Sequence, residues 1–354
     1  MTISVVKPVF ASLQSHSREW LFCLLALFFL VGCDRQIPPI QLGGDIMGTT
    51  WGVSYIEGPP ELTPRQVQAG VEALLARVNL SMSTYRTDSE ISEFNAVDTQ
   101  TWFSSSAEFF AVLKAALDVG QKSKGAYDVT VGALVDLWGF GPGNMIEDPP
   151  AKDEIADLMS EVGQANLRLD VQNGRILKQS NLSVDVSSLA KGYAVDRVAE
   201  WLSAQGVSRY MVEVGGEMRL SGLSGRGDPW RIAIEQPKVS DRAIAITLSL
   251  TDVSIATSGD YRNYFEAEGR RYSHSIDPRT GYPVTHDLVS VTVVHQSCMM
   301  ADAWATALTV LGAKDAMAVA QAQGLAVYFI RRLDDEFVHS QTPLFAAYLP
   351  PAKR

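Results

Sequence analysis

Three short stretches of this sequence concentrate polar side chains between apolar runs. In Ala301-Asp302-Ala303-Trp304-Ala305-Thr306 a carboxylate and a hydroxyl stand four residues apart in a helical pattern, so they share one face a turn apart. Such a pair of oxygen donors suits a hard cation such as Mg2+; the alternative is an ordinary helix with a capping Asp302 and a Thr306 bonded to its own backbone. In Val184-Asp185-Val186-Ser187-Ser188-Leu189-Ala190-Lys191-Gly192-Tyr193 a strand-like run passes into a helix start. Free amides there attract phosphate, and Asp185 either caps them or accepts a hydrogen bond from a base edge. Ser273-His274-Ser275-Ile276-Asp277-Pro278-Arg279-Thr280-Gly281 sets a His, an Asp and an Arg on an Asp-Pro turn. Arg279 could clamp a phosphate and His274 could move a proton near neutral pH; otherwise Asp277 and Arg279 simply hold the turn.

The common nucleotide loops are missing. No Gly-x-x-x-x-Gly-Lys-Ser/Thr occurs, so a P-loop kinase or ATPase is excluded. Gly139-Phe140-Gly141-Pro142-Gly143 is glycine-rich, but Asn144 stands where the dinucleotide spacing needs glycine. There is no His-Glu-x-x-His, and the histidines at 16, 274, 286, 295 and 339 never pair at ligand spacing.

Those stretches need elements to hold them. Thr63-Pro64 reads as an N-cap and a first-turn proline before Val67, Val71, Leu74, Leu75 and Val78 at helical spacing. Ser105 and Glu108 form a capping-box pattern before Phe109, Val112, Leu113 and Leu117. A third helix is expected from Ser188 to Gln205, stopped by Gly206, and two more over residues 299–311 and 313–323. Strand patterns fall at residues 211–214, 231–235, 243–250, 288–295 and 325–331. Helices and strands come in blocks without regular βαβ alternation, which predicts an α+β fold with mixed or antiparallel sheets flanked by helices. Residues 141–153, with Pro142, Pro149 and Pro150, read as a surface excursion.

The chain has 354 residues, 46% hydrophobic and 20% charged, with a formal net charge of −10. This is a globular composition, not a disordered, collagen-like or polytopic membrane one. The acidic balance argues against nucleic acid, which demands clustered Lys and Arg. Lys7 and Arg18 precede an apolar run from Trp20 to Val31, too short for a bilayer span of about 20 residues and typical of a secretory leader. Its end, Leu30-Val31-Gly32-Cys33, resembles a bacterial lipobox, with Cys33 as the lipidated first residue of the mature chain; an uncleaved anchor is the alternative. Asp34 resembles an inner-membrane retention signal, which points to a lipid-anchored protein on the periplasmic face. Residues 1–32 are then the leader, residues 33–45 the lipidated Cys and a tether containing Pro38-Pro39, and residues 46–350 the working domain. Cys23 leaves with the leader and Cys33 carries lipid, so Cys298 has no disulfide partner and reads as a core residue.

The ordered blocks carry a resemblance. Met47-Gly48-Thr49-Thr50-Trp51, Met82-Ser83-Thr84-Tyr85-Arg86, Gly125-Ala126-Tyr127-Asp128-Val129-Thr130, Asp185–Tyr193, Glu213-Val214-Gly215-Gly216-Glu217, Ser258-Gly259-Asp260-Tyr261, His274–Gly281 and Ala301–Thr306 follow one another after the lipobox. Each is weak alone; in this order the sequence resembles the FAD:protein FMN transferase (ApbE) family over nearly the whole mature chain.

The resemblance implies a T-fold-like α+β architecture with two closely joined lobes. It implies an enzyme that transfers the FMN half of FAD, through a phosphoester, to a Thr or Ser hydroxyl of a partner protein and releases AMP. Mg2+ would be held by Asp302, Thr306 and a backbone carbonyl at Ala190, with Ser188 as the alternative. FAD, the substrate, would meet Met47, Tyr85, Ala126, Tyr127, Asp128, Asp185, Ser188, Lys191 and Ile276. Lys191 stands where other members carry an acid. His274 is the expected base, with Asp277 as the alternative base and Arg279 as electrostatic support. The acceptor would be a subunit of a Na+-pumping or Rnf-type (Nqr/Rnf) membrane redox complex, or another FMN-carrying protein. An FAD pyrophosphatase giving FMN and AMP, or a non-catalytic flavin-binding lipoprotein, are the competing readings.

Overall fold

Runs of β-branched and aromatic residues with period-two burial build the spine of the molecule. A computed structural model describes residues 37–350 except 144, 145, 147, 238–242, 260–263, 268, 269 and 335; the leader and Cys33 lie outside the described residues. Strands β1 (Ile40–Ile46), β2 (Thr49–Tyr55), β3 (Tyr210–Val214), β4 (Glu217–Ser221), β5 (Val253–Gly259), β6 (Leu288–His295), β7 (Ala326–Leu333) and β8 (Glu336–Gln341) form one sheet. They lie side by side in chain order, each antiparallel to the next. The sheet is thus a meander opened by excursions that carry the helices.

The excursion between β2 and β3 contains α1 (Pro64–Met82), α2 (Ala107–Lys122) and α3 (Ser187–Ala204); that between β6 and β7 is α4 (Cys298–Ala322). Their apolar faces cover one side of the sheet and close the main core around Val71, Leu113, Val195, Val291 and Leu308. The other side carries a second core, in which Trp230, Ile232 and Leu248 of a two-stranded ribbon pack on Ile255, Tyr328 and Ile330. A third cluster around Leu134, Trp138, Ile155 and Ile276 forms a small lobe against the main body. The α+β class, with an antiparallel sheet, flanking helices and joined lobes, is what the sequence predicts.

Two local readings change. Residues 40–45, expected as tether, belong to edge strand β1, paired from Ile40 opposite Tyr55 to Ile46 opposite Thr49; Gly43-Gly44 disguise the strand, but Leu42 and Ile46 pack onto the core. The cap of α2 is Ser106, not Ser105. Glu90, a residue from a separate short helix, accepts from the Ser106 amide at 2.6 Å, while Glu108 instead pairs with Arg77 at 3.0 Å. The two late helices are as expected: the span Cys298–Ala322 is two helices meeting at Gly312, whose φ of 74° is non-helical and makes the break.

Candidate active site

One end of the sheet is where the meander's turns open. The two-residue β1–β2 turn, Met47-Gly48, and the β3–β4 turn, Gly215-Gly216, both have positive φ at each position, the geometry that matches strand twist in tight hairpins. Met47 holds φ 53° without being glycine, a strained backbone that fixes its side chain at the tip. Beside them β5 ends in Thr257-Ser258-Gly259, and the first turn of α3 arrives from the helical layer. The small lobe closes the far side with Val131, Val135, Phe140, His274 and Ile276. Between these walls lies a cavity of ≈ 500 Å³, within the range of small-molecule sites.

At the cavity floor α3 and α4 cross. Gly192 presses against the start of α4, and its amide donates to Asp302 Oδ2 at 3.0 Å. Asp196, one turn further on, fixes that start: it accepts from Ser297 Oγ at 2.7 Å and from the amides of Cys298 and Met299, both at 3.0 Å. Arg219 Nη1 neutralises it at 2.7 Å. Next to Asp302, Lys191 Nζ donates to Glu217 Oε1 at 2.8 Å. Burial, with help from the Glu217 charge, pushes the Asp302 carboxyl up to about 7, against the pull of Lys191. Burial also raises Glu217 more than Lys191 lowers it. Burial opposes the charge on Lys191, but Asp302 and Glu217 outweigh it and hold its pKa above the usual lysine range. This is a buried knot with two acids and one base, short of positive charge.

The walls divide into groups that are engaged and groups that face the cavity. Asp128 accepts from the Thr130 amide, the Thr130 hydroxyl and the Gln164 amide at 2.9, 2.7 and 2.8 Å, so it shapes the loop that presents Ala126 and Tyr127. Tyr127 hydroxyl and Ser188 Oγ share a hydrogen bond of 2.8 Å, which ties that loop to the α3 start. Asp185 accepts from the Ser187 amide at 2.7 Å, a turn just before the helix, whose cap position is Val186 and carries no side-chain cap. Tyr85 is 69% exposed, stands over the mouth and donates to the Phe140 carbonyl at 3.3 Å. The His274 ring meets the Phe140 ring edge to face at 6.3 Å.

Of the residues singled out in the sequence, Met47, Tyr85, Ala126, Tyr127, Asp128, Asp185, Ser188, Lys191, His274, Ile276, Asp302 and Thr306 all line this cavity. Asp277, Arg279 and Ala190 are not part of its lining. Arg279 Nε and Nη2 close a fork on Asp277 at 2.8 and 2.7 Å, and Asp277 Oδ1 also accepts from the Arg279 amide at 2.9 Å. The pair therefore holds the turn that presents His274 and Ile276, the plainer of the two readings above. Ala190 is buried in the main core. The lining also includes Glu217, Gly215 and Thr257–Gly259, and α4 is anchored by Asp196. Glu217 and Gly215 sit in a quoted block, but nothing in their spacing points to a buried pair with Lys191.

An antiparallel sheet, a helix start and a buried acid–base knot meeting in one cavity define an α+β protein with a polar site of small-molecule size. Residues 47–329 match the model of the ApbE family. The FAD:protein FMN transferase of Vibrio cholerae is 44% identical over 334 residues, 94% of this chain and 99% of that one. The solved flavin transferase ApbE from Vibrio cholerae superposes with a TM-score of 0.82 at 43% identity, covering 88% of this chain and 100% of its own. The apo flavinyl transferase ApbE of Pseudomonas stutzeri gives 0.81 at 38% identity, covering 88% of this chain and 96% of that one. The chain belongs to the ApbE family.

Proposed function

We propose that the chain is an FAD:protein FMN transferase, moving the FMN half of FAD onto a Thr or Ser hydroxyl of an acceptor protein with AMP as leaving group. The observation that carries this reading is that one cavity gathers His274, a helix start and the Lys191–Glu217–Asp302 knot in a member of this family. Met47 and Tyr85 offer soft and flat surfaces to a ring system. The α3 start and Lys191 face the diphosphate, and His274 takes the proton from the acceptor hydroxyl as the new phosphoester bond forms and the pyrophosphate P–O bond breaks.

The floor also fits a divalent cation. Among the described residues no group of three or more His, Cys, Asp or Glu stands at metal-binding spacing, so a cation would rest on the Asp302 carboxylate, the Thr306 hydroxyl and a backbone carbonyl at Ala190 or Ser188. Such an oxygen set, completed by water and substrate phosphate, is what Mg2+ takes. A carboxyl held up to about 7 by burial gains most from a nearby positive charge. When bound, Mg2+ would neutralise the diphosphate.

The lipobox-like Leu30-Val31-Gly32-Cys33 after a basic and apolar stretch supports a lipid-anchored enzyme on the periplasmic face of the inner membrane, within reach of a membrane redox subunit of the Nqr/Rnf type as acceptor. The test is to incubate the protein from Asp34 onward with FAD, Mg2+ and such an acceptor, then follow acceptor mass and AMP. Acceptor gaining one FMN supports the reading. FMN and AMP appearing without an adduct would replace it with a pyrophosphatase, and FAD persisting intact would replace it with a flavin carrier.

A further inference from the structure

The Glu217 side chain is cut off from bulk water, with only 5% of it exposed. One of its oxygens is spoken for: Oε1 accepts from Lys191 at 2.8 Å. The other, Oε2, is buried and has no hydrogen-bond partner among the described residues, although Glu217 lines the cavity. A buried carboxylate oxygen left unpaired is costly, so the working state must bring it a donor. An FAD diphosphate cannot do so, since it is an acceptor and carries the same charge. The donors within reach of such a site are a substrate hydroxyl or N–H, a free water, or a water held by a cation.

The charges around the knot choose between them. Glu217 and Asp302 flank the same ammonium, and the Glu217 charge acts on Asp302. A cation seated on Asp302 and Thr306 is therefore within the field of Glu217, and Mg2+ keeps several of its waters when protein-bound. Waters on a divalent ion are polarised and donate strongly to a carboxylate. Asp302, Thr306 and one backbone carbonyl would leave several coordination positions of such a cation to water.

Resting on the cation reading above, we infer that Glu217 is a positioning residue of the metal site: its Oε2 accepts from a cation-bound water, and its Oε1 holds Lys191 against the cavity wall. The stem of Lys191 runs beside Gly215, where a Cβ would come within 3.0 Å of Lys191 Cδ. The glycine turn, Lys191 and Glu217 thus form one support whose open end is the carboxylate oxygen.

The test reads metal binding directly. Wild type and Glu217→Gln, both metal-free, are titrated with MgCl2 by calorimetry, and each is separately titrated with FAD without metal. Gln keeps the acceptor for Lys191 and the side-chain volume but presents an NH2 group where Oε2 stood. The expected result is a 10–100-fold loss of Mg2+ affinity, the usual effect of removing an outer-shell partner. Equal Mg2+ affinity in the two proteins overturns the inference while leaving the cation reading intact. A loss of metal-free FAD affinity with unchanged Mg2+ affinity overturns it in favour of a substrate hydroxyl. No Mg2+ binding by wild type overturns the cation reading, and this inference with it. If Glu217→Gln melts lower, Glu217→Asp, which keeps the charge but withdraws the oxygen, must show the same selective loss of Mg2+ affinity; failure to do so overturns the inference.

Discussion

Gly192 sits where α3 presses on the start of α4, and adding one methyl there tests how the floor is set. A Cβ would fall 2.4 Å from the Cys298 carbonyl oxygen, 2.7 Å from its carbon and 2.8 Å from Met299 Cα. These are backbone atoms at a helix start pinned by Asp196, so no side-chain rotation relieves the clash. Restoring ordinary contact, about 3.5 Å or more between carbons, requires the helices to part by about 1 Å. Overpacking of this kind costs about 1–3 kcal/mol, and the better helix propensity of alanine returns up to about 1 kcal/mol. Gly192→Ala is therefore expected to melt only a few degrees lower. The site pays more: the Gly192 amide holds Asp302 Oδ2 at 3.0 Å, and a misplacement of about 1 Å can slow a reaction about 100-fold. The assay compares melting temperature with the rate of FMN transfer at saturating FAD and Mg2+. A variant that transfers FMN at the wild-type rate would refute the reasoning, because the helix crossing would then not set the position of Asp302.

Three further outcomes follow from the same geometry. Asp302→Asn should abolish FMN transfer while keeping the fold, and it should change how metal-free stability depends on pH. In the fold the Asp302 carboxyl keeps its proton up to about 7, whereas the reference value is 3.8; the native state thus binds more protons in between, and metal-free wild type should lose stability as pH rises from about 4 to about 7. Urea midpoints across that window should flatten in the variant; an unchanged slope would refute the assignment. His274→Ala should leave the melting temperature near wild type and remove acceptor labelling, and retained labelling would take the proton-transfer role from this residue. Asp196→Ala should cost about 3 kcal/mol or more, since it strands the Arg219 charge and the start of α4, and a urea midpoint close to wild type would refute its anchoring role.

Much of this molecule was legible along the chain because it is written locally. Helix α1 begins at Thr63 with the reciprocal Thr63–Gln66 cap, and the strands at residues 211–214 and 288–295 lie within one residue of their predicted bounds. The pairing of Asp302 with Thr306 needs only the helical period. The α2 cap was misread because the carboxylate that completes it, Glu90, comes from another element, and β1 was misread because two glycines mask a strand defined by its partner.

Residue types and their periods determined the α+β class, the main helices and the polar clusters at Asp185–Ser188, His274 and Asp302–Thr306, while the family resemblance supplied Met47, Tyr85, Ala126, Tyr127, Asp128, Lys191 and Ile276. Only the tertiary structure decided which of them work together. Three-dimensional packing brings Glu217 to Lys191 and Asp196 to the start of α4, across 26 and about 100 residues of chain respectively, and it turns Arg279 onto Asp277 instead of into the cavity. The physical reason is that burial and charge pairing are properties of neighbours in space: a carboxylate in a sequence has its ordinary acidity, and only the fold removes its water and supplies its partner.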